Sequence, residues 1–105
     1  MILEKFLQEQ SEFFEQLHNL CKQKQTEYTR GTDAFHNFQK AKDLSFHSTT
    51  SKVAWEYMVK HLQSIKDLLN DDENNNPINI NQIDEKIGDV IIYLTLIRSM
   101  LKEQN

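Results

Sequence analysis

The sequence predicts an all-α fold, a compact bundle of about four helices with one of them short. Three observations carry this. The 105 residues include only two glycines and one proline, too few turn formers for a β-sandwich or barrel. Leu, Lys, Glu and Gln, which favour helix, are abundant. Apolar residues recur at three- and four-residue spacing in separate stretches, the signature of helices buried on one face. The length suits one domain with a modest core.

The first helix is expected from about Leu3 to about Thr26. Leu3, Phe6, Leu7, Phe13, Phe14, Leu17, Leu20 and Cys21 mark one face, and Glu4, Glu12, Glu15 and Lys22 the other. "TEYTRGTD" breaks the pattern at Gly31, which tolerates a left-handed turn. Thr32 or Asp33 is positioned to cap a short second helix, "AFHNFQKAKDL", ending near Leu44. The polar connection "SFHSTTS" leads into a third helix, about Lys52 to Leu69. Its main apolar face is Ala54, Tyr57, Met58, His61, Ile65 and Leu68, widened by Trp55, Val59 and Leu62. "NDDENNNP" reads as an exposed loop over 70–78, with Pro77 as the stop. Asn79 as N-cap with Gln82 three residues on gives a capping box for a fourth helix, Ile80 to about Lys102.

Composition narrows the function classes. A net charge of -4 gives no general attraction to DNA or to an anionic membrane. No run reaches the roughly 20 apolar residues of a membrane span, and the start "MILEKFLQEQSEFF" is too polar for a signal peptide. Cys21 is the lone cysteine, so no internal disulfide is expected, which suits a reducing cytoplasm. There is no trusted Ser-His-Asp order, no phosphate-cradling glycine loop and no Cys-His zinc spacing. His18, His36, His47 and His61 form no ligand motif.

The fourth helix carries two apolar stripes at about 100° per residue. Ile83, Ile87, Val90, Leu94, Ile97 and Leu101 make the expected core stripe. Glu85, Asp89, Ile92, Tyr93, Leu96 and Met100 make a second on roughly the opposite side. That second stripe suggests a subunit interface or a second packing layer, and so a homodimer or larger oligomer. Glu85 and Asp89 head it, one turn apart and pointing the same way. A pair of carboxylates at that spacing suits a hard cation such as Mg²⁺, which takes carboxylate, water and phosphate oxygens. The alternative is that these acids complement the helix dipole, although Asp89 lies far along the helix for that. Gly88 between them permits close approach of a backbone or ligand.

Two further clusters are candidates. On the third helix, His61 lies in the apolar face, flanked by Lys60 and Ser64. It is either a hydrogen-bonded core residue or part of a pocket in which Lys60 meets a phosphate. Around Gly31, Tyr28, Asp33, His36, Asn37 and Phe38 mix aromatic and polar groups suited to a base or ribose. The same pattern also describes a helix-helix corner packed by Phe35 and Phe38.

"EYTRGTDAFHNFQKA", "VAWEYMVKHLQSIKDLL" and "IDEKIGDVIIYLTLI" occur in this order. Together they resemble the phage and prophage nucleotide modification associated domain family. That family is distantly similar to the all-α nucleoside triphosphate pyrophosphohydrolases of the MazG and dimeric dUTPase type. The resemblance covers about residues 25 to 101. It implies an oligomer with a nucleotide pocket between helices, and hydrolysis of a nucleoside triphosphate to the monophosphate and pyrophosphate. It also implies Mg²⁺ on Glu85 and Asp89 as catalytic carboxylates, although their spacing is one residue longer than in the family's Glu-x-x-Asp.

In that scheme Lys60 contacts phosphate, His61 and Ser64 orient pocket groups, and Tyr28, Asp33, Asn37 and Phe38 line the nucleotide site. The family's first pair, Glu-x-x-Glu, occurs only as Glu12 and Glu15, on the polar side of the first helix. Glu56 and Asp67 fall away from the third helix's apolar face. The alternative expectation is therefore a non-enzymatic phage effector. It would sequester a nucleotide signal of host defence, or bind and inhibit a host protein.

Overall fold

The computed structural model describes the backbone of residues 1–29 and 33–104 and the side chains of residues 1–24 and 33–103. The described chain is all-α: α1 spans Leu3–Thr29, α2 His36–Leu44, α3 Thr50–Glu73 and α4 Ile80–Gln104. It divides into two compact units, Met1–Ala34 and Phe35–Asn105.

The first unit is built on α1. Its helix continues to Thr29, past the expected end at Thr26. Leu3, Phe6, Leu7, Phe14 and Leu20 on its apolar stripe are exposed, and Leu17 is buried.

In the second unit α3 packs on both α2 and α4. Val53 and Ala54 of α3 are fully buried and join Phe38 of α2 and Met100 of α4 in the core. Tyr93, Leu96 and Ile97 of α4 and Phe35 and Ala41 of the α2 region pack around that cluster. Phe38 meets Tyr93 edge-on, with ring centroids 5.9 Å apart. Tyr57 lies against Phe38 at the same 5.9 Å separation.

This packing corrects the expected rank of the two α4 stripes. Met100, from the second stripe, is only 2% exposed, whereas Leu94 and Leu101, from the expected core stripe, are 47% and 48% exposed. Val90 of that stripe is buried and Ile97 partly so. Hydropathy alone ranks Leu and Ile above Tyr and Met. Here the wall offered by Phe38, Val53 and Ala54 decides which side turns inward.

Helix ends follow local chemistry. Thr49 caps α3, its Oγ1 accepting from the Lys52 N–H at 3.3 Å. Asn79 caps α4 by accepting from the Asn81 N–H at 2.8 Å. The short helix α2 starts three residues after Asp33, at His36, with Phe35 as a cap residue that makes no side-chain cap bond. That differs from the expected cap at Thr32 or Asp33. Thr32 lies outside the described residues.

The largest boundary difference is at the end of α3. Residues 70–73 of the expected loop complete the helix. Asn75 has φ 59°, the left-handed region that asparagine tolerates better than most residues. With Asn75 in that state, the Asn76 N–H donates to the Asp71 carbonyl at 2.8 Å and the Asn75 N–H to Asp72 at 3.1 Å. This is the Schellman closure, which satisfies carbonyls the last turn would leave open. Pro77 follows two residues later, where the helix has already ended.

Candidate functional site

The site is built from two i, i+4 pairs on facing helices. On α3, Tyr57 and His61 lie one turn apart; on α4, Asp89 and Tyr93 do the same. Packing of α3 on α4 brings the pairs together. His61 Nδ1 lies 3.5 Å from Asp89 Oδ2. The His61 and Tyr93 rings are 5.3 Å apart, tilted by 36°. Phe38, buried beneath, touches both tyrosines.

His61 and Asp89 each keep 24% of their side-chain surface open. The cluster is therefore a polar pair reached from solvent, backed by an aromatic wall. At 3.5 Å the His61–Asp89 contact is looser than a direct hydrogen bond. Nδ1 faces the carboxylate, so Nε2 is directed away from it. When protonated, His61 presents a second donor there for an acceptor such as a phosphate oxygen.

Tyr93 titrates above the ordinary tyrosine value of 10.0, because burial disfavours its phenolate, with the Asp89 charge and then Tyr57 adding to the effect. It is a neutral phenol over the whole physiological range.

The sequence candidates separate clearly. His61 and Asp89 come together. Phe38 reaches the cluster but sits in the core, so its ring packs against protein. Lys60 is exposed beside His61 in sequence. Ser64 donates its hydroxyl to the Lys60 carbonyl at 3.3 Å, a bond within its own helix. Glu85 and Asn37 are exposed. Asp33, also exposed, belongs to the first unit, and the side chain of Tyr28 lies outside the described residues.

For Mg²⁺ the donor set is partial. Glu85 and Asp89 share a face by spacing. Among the described residues, no group of three His, Cys, Asp or Glu side chains comes together. Such a pair suits an ion that brings its own water and phosphate ligands, not one caged by protein alone.

Sequence reasoning placed Tyr57 and Tyr93 on apolar faces and did not count them as site residues. The signal was present: each lies four residues from a polar site residue on the same face. A second pair also escaped it. His47 Nε2 meets Glu56 Oε2 at 2.8 Å, tying the segment between α2 and α3 to the α3 surface. His47 N–H also donates to Ser45 Oγ at 3.2 Å, so that segment is folded on itself.

No helix among the described residues is long and apolar enough to cross a membrane. Comparison with protein-family models, with curated proteins and with solved structures gives no match in any of the three.

Proposed function

We propose that this chain is a phage-type, cytoplasmic nucleotide-binding protein whose ligand sits at the His61–Asp89–Tyr93 cluster of α3 and α4. The observation that supports it most is the 3.5 Å His61–Asp89 pair, open to solvent and backed by Tyr93. A nucleotide needs an aromatic or apolar surface for its base and donors for its phosphates. Tyr57 and Tyr93 supply the first. His61, with Lys60 beside it as a mobile point charge, supplies the second.

In this reading Asp89 and Glu85 hold Mg²⁺ only as part of a nucleotide complex, with phosphate oxygens completing its shell. Bound there, the ion would neutralise phosphate charge. Hydrolysis to the monophosphate and pyrophosphate is the active form of this proposal, and sequestration of an intact nucleotide signal is its inactive form.

Calorimetry with a panel of nucleoside mono-, di- and triphosphates, with and without Mg²⁺, tests the site. At least one nucleotide should bind, and His61→Ala and Asp89→Ala should each weaken it about tenfold or more, the loss of one charge-assisted contact. Unchanged affinity in both variants rejects the site. Pyrophosphate release then separates hydrolysis from sequestration.

A second reading rests on a different surface. Leu44 and Phe46 are 92% and 109% exposed and Trp55 is also exposed. The His47–Glu56 pair holds the segment carrying Phe46 against the helix carrying Trp55. Exposed apolar groups concentrated at one corner suit a protein contact, here a host protein inhibited by the chain. If no nucleotide binds, and a host defence protein binds wild type but not Phe46→Ser/Trp55→Ser, this second reading replaces the first.

A further inference from the structure

Lys86 on α4 lies one turn before Asp89 and two turns before Tyr93, so the three share one helix face. Of the lysines on α3 and α4, Lys52, Lys60, Lys66 and Lys102 are exposed, whereas Lys86 is half-buried. It forms no ion pair among the described residues, although Asp84, Glu85 and Asp89 are close in sequence. Asp89 is turned to His61 instead. A half-withdrawn ammonium with no carboxylate against it keeps its charge for an anion.

Register sets Lys86 on the edge where α3 and α4 meet. His61 meets Asp89, while Val53 and Ala54, about two turns earlier on α3, share the core with Met100, about three turns later on α4. The two helices therefore run antiparallel. One turn onward from His61, at Ser64 and Ile65, α3 comes level with Lys86.

Tyr57, one turn before His61, sets the other end. Tyr93 already has two ring neighbours: Phe38 edge-on at 5.9 Å and His61 at 5.3 Å, tilted by 36°. Tyr57 meets only Phe38 among the described rings and is 41% exposed. Tyr57 is thus the tyrosine with a ring face left for a base, and Tyr93 backs His61. From Tyr57 to the level of Lys86 is seven residues of α3, roughly 10 Å. A base, a ribose and a chain of phosphates cover that span, and a base with one phosphate falls short of it.

We infer that the nucleotide lies along α3 with a fixed polarity: its base stacks on Tyr57, its first phosphate meets His61, and the end of its phosphate chain meets the Lys86 ammonium. The ligand class is a nucleoside di- or triphosphate. This rests on the nucleotide reading of the His61–Asp89–Tyr93 cluster and adds to it a direction, a length and a cation. Stacking uses the π-face that every base has, so phosphate number, more than base, ranks the ligands.

Calorimetry on the full chain in buffer containing EDTA tests it, with adenosine and thymidine 5′-mono-, di- and triphosphates as probes. Circular dichroism confirms that each variant stays folded. In wild type, affinity should rise from mono- to triphosphate. Lys86→Met keeps the apolar stem and removes the charge. It should weaken the triphosphate about tenfold, the loss of one charge-assisted contact, and leave the monophosphate within about twofold. Lys86→Arg should keep the preference for more phosphates. Tyr57→Leu should weaken all three nucleotides by a similar factor, about tenfold, and Tyr57→Phe should bind as wild type does.

Equal losses of mono- and triphosphate in Lys86→Met, or no loss of either, overturn the inference, and so does unchanged binding in Tyr57→Leu. Where nucleotides still bind and His61→Ala and Asp89→Ala still weaken them, only the direction and length fall, and the nucleotide reading stands. If no probe of either series binds wild type, that reading fails and this inference fails with it.

Discussion

His61 on α3 faces Asp89 on α4 at 3.5 Å, and each side chain is 24% exposed. The contact lies where the aromatic wall of the core reaches the surface. Its partial exposure limits its worth to the fold. Exposed pairs contribute about 0.2–1 kcal/mol, so a His61→Ala, Asp89→Ala double-mutant cycle followed by urea unfolding should give a coupling in that range. A coupling of several kcal/mol would mean the pair is a structural lock and not an accessible site.

The two stripes of α4 predict opposite outcomes for similar truncations. Met100 is 2% exposed in the core, and Leu101, its neighbour in sequence, is 48% exposed. Met100→Ala should cost about 2–5 kcal/mol, the range for emptying a packed position. Leu101→Ala should cost less than about 1 kcal/mol. Equal losses in urea unfolding would restore the ranking that hydropathy alone suggests.

That ranking shows which parts of the fold the sequence made legible. Asn79 could be read as a cap because capping depends on a few adjacent residues. The end of α3 was harder, because its stop depends on Asn75 taking φ 59°, and the run Asn74, Asn75, Asn76 does not say which residue will. The α4 stripes were both visible, but their order depends on what α2 and α3 present to them. The site shows the same division. His61 and Asp89 each stood out on their own helix, while their meeting depends on the register of α3 against α4, which no single helix encodes. Tyr93 was visible only as an apolar-stripe residue until that register placed it beside His61.

Asn75 offers a direct test of the α3 terminus. Its left-handed φ of 59° is adopted without penalty by glycine, which has no Cβ. Asn75→Gly should leave stability unchanged or raise it by up to about 1 kcal/mol, and Asn75→Ala should lower it by about 1 kcal/mol. Thermal unfolding of the two variants beside wild type measures both. If Ala proves as stable as Gly, the two closing hydrogen bonds do not depend on the left-handed residue.

Tyr93 links the site to alkaline stability. Burial first, then the Asp89 carboxylate and Tyr57, hold its phenol protonated above the ordinary value of 10.0. The folded state therefore binds this proton more tightly than the unfolded state does. The resulting stability is fully present below about pH 10, the unfolded tyrosine value. It is lost as pH rises from there through the folded value. In Tyr93→Phe that loss should disappear, so its stability should fall less steeply above pH 10 than that of wild type. Asp89→Asn should act in the same direction as a smaller change: removing the neighbouring charge brings Tyr93 down toward its ordinary value and leaves the burial effect. Urea unfolding across the alkaline range, paired with ultraviolet titration of the phenolates, reads both. Identical pH slopes in wild type and Tyr93→Phe would show that Tyr93 is as well solvated as in the unfolded chain, and that the aromatic wall behind His61 and Asp89 is open.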